Sequence, residues 1–271
     1  MKKIVIFLLL FFTLSISYAQ THFVLHVKGN ILRKDTKQAL KIGEQISEDT
    51  QLIFNTPNAL AVVMSKEKGR MVLDGRQSKK EANGEFVALM KDALLPMKTN
   101  MMMSTRGSVD EEIVNFKDYF GENDFAIIGE KLKLKINKDK YPLTDQQVIV
   151  VKYTYEGKNI NKQILSEENW ITLEKNAIFD NGVDVEKVEK VDLYYYNKTS
   201  KDFSKLVTFH PIFVEEDELK AEVSTLVKFL HEAEMPSAKI RSEVTSFVRD
   251  LYGKIDELQL KQWLEDKQLI H

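Results

Sequence analysis

Residues 148–165 read VIVVKYTYEGKNINKQIL. Val148 to Val151 run on through Tyr153 and Tyr155, β-branched and aromatic residues that fit a pleated surface. Glu156-Gly157 then offers a two-residue hairpin turn, and Ile160 to Leu165 return antiparallel. The same signature repeats on both sides of this hairpin. Upstream, Phe125 to Ile128 and the alternation of Leu132, Leu134 and Ile136 with lysines make a strand pair broken at Gly129. Downstream, Trp170 to Leu173, Val191 to Tyr196 and Leu206 to Phe213 supply three more strands. No amphipathic helix separates successive strands, so residues 108–214 predict a β-sandwich-like domain rather than an α/β sheet.

Working outward, the segment from His22 has its own short strands. Phe23, Leu25 and Val27 alternate with His22, Val24, His26 and Lys28, the period of a half-buried strand. Gly29-Asn30 turns the chain. Ile31-Leu32, Leu40 with Ile42, Ile46, Leu52 to Phe54, Ala59 to Met64 and Met71 to Leu73 follow, separated by Gly43-Glu44, the Pro57 turn and Lys68-Gly69-Arg70. Turns at this spacing predict a small barrel or sandwich. Asp74 to Asn83 reads as an exposed loop, and Glu85 to Leu94 as a short helix or strand packed on this first domain. Ser108 to Glu111 spells a capping box, with helical spacing through Ile113, Phe116 and Tyr119-Phe120 to a Gly121 cap.

The first domain resembles the FecR-like domain of bacterial envelope proteins. The resemblance is carried by Val27, Gly29, Ile31, Leu40, Gly43, Glu44, Ile46, Leu52, Phe54, Val62, Gly69, Met71 and Leu73, with Arg106-Gly107-Ser108 similar to the R-G-T segment of that family. It covers about a third of the chain, residues 20–107 including a connecting segment. It implies a sensing or protein-contact module and brings no catalytic residues.

The last segment, residues 215–271, is expected to be helical. Leu219, Val223, Leu226, Val227 and Leu230 form one stripe behind an Asp217 cap; Pro236-Ser237 starts a second helix with Ile240, Val244, Phe247, Val248 and Leu251, ended by Gly253; a third holds Leu258, Leu260, Trp263 and Leu264. The expected class is therefore α+β, mainly β, with C-terminal helices.

Residues 1–19 fix the expected compartment. Lys2-Lys3, the apolar run Ile4 to Ile16 and the small residues before Gln20 read as a secretory signal peptide. A periplasmic or secreted protein follows, of 252 residues once cleaved, with its formal charge moving from −2 to −4 as Lys2 and Lys3 leave. That balance, without a basic block, argues against nucleic acid. No later apolar run approaches membrane-spanning length. The chain has no cysteine, which excludes disulfides, thiolate metal sites, a Cys nucleophile and lipidation at the cleavage site.

Catalytic and metal motifs are missing: there is no G-x-S-x-G, G-x-x-x-x-G-K, G-x-G-x-x-G or H-E-x-x-H. His22 and His26 are about 13 Å apart along a strand, too far to share an ion. Met101-Met102-Met103 reads as junction filler before it reads as a Cu(I) box. No cofactor, metal site or catalytic group is expected. The candidate binding residues are Tyr194 and Tyr196, on one face of a strand, and Trp263 on the third helix. The favoured reading is an exported, non-catalytic envelope protein that binds another protein or a surface polymer. The alternatives are a hydrolase assembled from His210, Asp192 and Glu168, and an envelope sensor.

Overall fold

The computed structural model describes residues 20–56, 58–82, 84–97 and 112–270. The signal-peptide reading, Pro57, the three methionines, Arg106-Gly107-Ser108 and the Ser108 to Glu111 capping box lie outside the described residues. The chain separates into two compact units at Met97. Its class is α+β and mainly β, with 41% strand and 26% helix.

In the first unit, strands β1 (Thr21–Lys28), β2 (Ile31–Arg33), β3 (Gln45–Ser47), β4 (Gln51–Phe54), β5 (Leu60–Ser65) and β6 (Gly69–Asp74) follow the expected pattern. They continue into β7 (Lys79–Lys80), β8 (Phe86–Leu89), the one-turn helix α1 (Met90–Ala93) and β9 (Leu94–Pro96). One antiparallel sheet has the order β3-β1-β5-β6-β9, the other β2-β4-β8-β7. Val24, Ile46, Ala61, Val63 and Leu73 from the first meet Ile31, Leu52, Phe54 and Ala88 from the second in one core.

Two expectations change here. Residues 74–82 are not simply an exposed loop. Buried Asp74 accepts from the Arg76 amide and guanidinium, a short 3-10 turn follows, and β7 then pairs with β8. Hydrogen bonding by the Arg76 guanidinium holds the Asp74 carboxyl below the usual carboxylate range. The simple alternation of β1 also fails. The pairing of β1 with β5 slips between Val24 and His26, leaving Leu25 as a bulge. Val24 and Val27, opposite Val63 and Ala61, therefore both reach the core, which strict alternation forbids.

In the second unit Ile113 bridges Ile136 instead of lying in a helix, and of the expected helix α2 (Phe116–Phe120) is helical, capped by Asn115 and Gly121. The strands are β10 (Asp124–Ile128), β11 (Lys131–Lys135), β12 (Gln147–Tyr155), β13 (Lys158–Gln163), β14 (Leu165–Glu167), β15 (Trp170–Glu174), β16 (Val191–Asn197) and β17 (Asp202–Val214), with the one-turn helix α3 (Lys175–Ile178) after β15. At the β12–β13 turn, Glu156 and Gly157 both have positive φ, 48° and 76°, as a primed two-residue hairpin requires.

The six-stranded sheet has the order β13-β12-β16-β17-β10-β18, where β18 is Lys254–Ile255, and the facing sheet is β11-β15-β14. β10 runs parallel to β17 and the hairpin pairs are antiparallel. This is the strand order of an immunoglobulin-type sandwich, with one short strand lying parallel to the last. Phe120, Phe125, Phe209, Ile149, Val151 and Leu193 pack against Leu132, Leu134, Ile171 and Leu173 between the sheets. Phe120 stacks on Phe209 with ring centroids 4.4 Å apart.

Three helices complete the unit: α4 (Glu216–Glu232), α5 (Ser237–Tyr252) and α6 (Glu257–Asp266). The α4 N-cap is Glu215, with Asp217 in the first turn rather than at the cap. The apolar stripe expected for α4 is buried, as is that of α5 except Leu251, which is half-buried. Between the two helices, the Tyr252 hydroxyl donates to the buried Glu222 carboxylate at 2.9 and 3.0 Å. Gly253 ends α5, and the next two residues enter the sheet as β18 beside β10. Both α5 and α6 contact β10, whose Ala126 and Ile128 point away from the sandwich core and are buried. From α6, Gln259 closes the β10–β11 corner: its amide oxygen accepts from the Ile128 N–H at 3.1 Å, and its NH2 donates to the carbonyls of Ile128 (3.2 Å) and Lys131 (3.1 Å). Among the described residues no helix is long and apolar enough to cross a membrane.

Candidate functional site

The outer face of the six-stranded sheet has two halves. At the β10 end it carries the helices; at the β12–β17 end Val148 and Val150 of β12 are buried, Tyr194 and Tyr196 are half-buried and Phe203 is exposed. β16 sends Leu193 and Tyr195 towards the sandwich core and Asp192, Tyr194 and Tyr196 to this outer face. The Tyr195 hydroxyl donates to the Pro142 carbonyl at 2.6 Å, so this middle tyrosine is a packing residue.

β17 brings a further aromatic. Val207 and Phe209 face the core, and strict alternation would send Lys205 and Phe203 the same way. The β16–β17 pairing slips, however: Leu193 lies opposite Val207 and Tyr194 opposite Lys205, which leaves Leu206 unopposed. This bulge reverses the phase of β17 and turns Lys205 and Phe203 outward. Phe203 stacks on Tyr196, its partner across the strands, at 4.0 Å and 18°, and meets Tyr194 edge-on at 5.9 Å and 86°. It remains 54% exposed. A phenyl ring held in a stack yet open on its other side is an aromatic platform.

Next to the platform lies an acid whose charge is fully engaged. Asp192 accepts from Lys205 at 2.8 Å and from the Thr208 hydroxyl at 2.7 Å, and the Tyr194 hydroxyl reaches it at 3.5 Å. Burial works to raise the Asp192 carboxyl, but the hydrogen bonds from Lys205 and Thr208 outweigh it and hold the group ionised below its usual range. Lys205 is raised in turn by its bond to Asp192 and sits 6.0 Å from the Tyr194 ring centroid.

No family model and no curated protein matches the chain. The site is therefore read from its own geometry. The two tyrosines expected to form a binding pair do share one face, and the structure adds Phe203, Lys205 and Asp192 to them. Trp263 is elsewhere: it is 6% exposed on the inner side of α6 with Leu260 and Leu264, where it packs rather than presents a surface. The three groups of the hydrolase reading do not converge. His210 Nδ1 pairs with Asp124 at 2.9 Å, Asp192 with Lys205 and Thr208, and Glu168 occupies the turn between β14 and β15 of the facing sheet, with φ 52°.

Proposed function

We propose that this chain is an exported, non-catalytic binding protein of a bacterial envelope, and that it holds another macromolecule on the open outer face of its second unit. One observation carries the reading: Phe203 is turned outward by the Leu206 bulge, stacked on Tyr196 and left exposed. A β-bulge that moves a large apolar ring out of a core and into solvent costs burial energy, and bulges of this kind are found where a side chain must be re-aimed. Export rests on the signal-peptide pattern of residues 1–19, and a periplasmic or secreted site on the same pattern. The sensor alternative rests on the FecR-like resemblance of the first unit.

The test is capture from native envelope fractions by tagged residues 20–271, beside the same chain carrying Phe203→Ala. Retention of a partner by the parent and its loss from the variant is the expected result. Equal capture by both chains, or by neither, removes the reading. Sequencing of the exported product is expected to begin at Gln20.

A further inference from the structure

The chemistry of the face beyond the platform narrows what lies on it. The strands next to β16 continue the same outer surface: Lys152 and Thr154 on β12 lie opposite Asn161 and Asn159 on the edge strand β13, and Gln163 lies opposite the buried Val150. Thr154 donates to Asn159 at 2.9 Å, while Asn161 and Gln163 are exposed. The aromatic end on β16 and β17 and the amide and hydroxyl groups of β13 and β12 are separated by the buried Val148 and Val150 of β12. Asp192 and Lys205 cancel as a pair, and Lys152, opposite Asp192 in the ladder, leaves one positive charge.

Few ligands match both halves. A charged peptide or a phosphate-bearing polymer needs several uncompensated charges to offset its desolvation, and Lys152 supplies one. A pyranose ring has an apolar face of polarised C–H groups that suits the negative face of a phenyl ring, and a rim of hydroxyls that suits carboxamides, each both donor and acceptor. The four strands from β13 to β17 span about 14 Å at ordinary strand spacing, which is several sugar rings rather than one. We infer that the macromolecule held by this face is a neutral polysaccharide, its chain running obliquely over strands β17, β16, β12 and β13, with one ring stacked on Phe203 and hydroxyls several rings further on bonded by Asn161 and Gln163. The inference rests on the binding reading above and gives it a ligand class.

The experiment is native gel electrophoresis through gels cast with a soluble β-glucan, a xylan, a galactomannan or, as the charged comparison, an alginate. The parent chain is expected to be retarded at least twofold by one of the three neutral polymers. Phe203→Ala should abolish the retardation, Asn161→Ala should weaken it, and Phe86→Ser, an exposed aromatic of the first unit, should leave it unchanged. Circular dichroism identical to the parent shows that the variants are folded. Retardation by alginate alone, by none of the polymers, or equally for Phe203→Ala overturns the inference. If Phe203-dependent capture of a protein persists while every polysaccharide fails, the binding reading stands and the polysaccharide assignment falls.

Discussion

At the scale of single residues, Gly253 and His22 answer to different physics. Gly253 has φ +88°, and a Cβ there would lie 2.4 Å from the Asp124 carbonyl oxygen, so both conformation and space demand glycine. Gly253→Ala is expected to cost more than about 1 kcal/mol, because the native conformation is incompatible with a side chain. Urea unfolding followed by tryptophan fluorescence checks this directly, since Trp170 and Trp263 both belong to the second unit. His22 is fully buried opposite Ile46, and neither ring nitrogen has a hydrogen-bond partner among the described residues. Burial pushes its pKa down, the Glu48 charge opposes that, and Lys68, paired with Glu48 at 2.5 Å, lowers it further. The unfolded chain then takes up a proton near pH 6.5 that the folded chain refuses, so stability is full above that pH and declines as the pH falls towards the depressed value. Amide exchange in β1 and β3 is expected to quicken between pH 7.5 and 5 after correction for the intrinsic rate. His22→Leu should remove that change; an unaltered profile in the variant contradicts the assignment.

At the scale of elements, much of the order was legible because the periodicities are strong. The β12–β13 hairpin stands where Glu156-Gly157 places it, and the α4 stripe and, Leu251 apart, the α5 stripe are buried as their spacing requires. What could not be read is phase. A bulge adds one residue and inverts every side chain beyond it, and no residue type marks Leu25 or Leu206 as the extra one. For this reason Phe203 reads by alternation as a core residue alongside Val207 and Phe209, and half of the candidate site was hidden. Deleting Leu206 restores the alternation. It is expected to leave Phe203 outward, because Tyr194 and Tyr196 already lie opposite Lys205 and Phe203, and to leave quenching of tyrosine emission by added acrylamide as in the parent. A second element-scale feature was equally invisible, because Gln259 is remote in sequence from the corner it closes. Gln259→Leu strips hydrogen bonds from Ile128 and Lys131 while keeping the volume, and should cost about 1–3 kcal/mol in urea unfolding of the second unit.

For the molecule as a whole, the C-terminal helices behave as part of the second unit rather than as an appendage. They cover Ala126 and Ile128, supply β18 and bring Gln259 to the sheet. A chain ending at Val214 is therefore expected to lose cooperative thermal unfolding and to associate, measured by circular dichroism and size-exclusion chromatography. A soluble, cooperatively melting product would contradict this. The helical periodicity is legible in the sequence; the two-residue strand Lys254–Ile255 is too short to leave a signature, so the attachment is not. The same attachment governs how the six-stranded sheet meets its neighbours when the protein is concentrated. At one side the backbone is sealed by β18 and Gln259; at the other, β13 is the edge strand, rich in lysines and asparagines, with no further strand beside it among the described residues. A ribbon sealed on one side accepts one companion and then has nothing left to offer. Two copies joined along β13 close into a symmetric pair, whereas a ribbon open on both sides grows into a fibre.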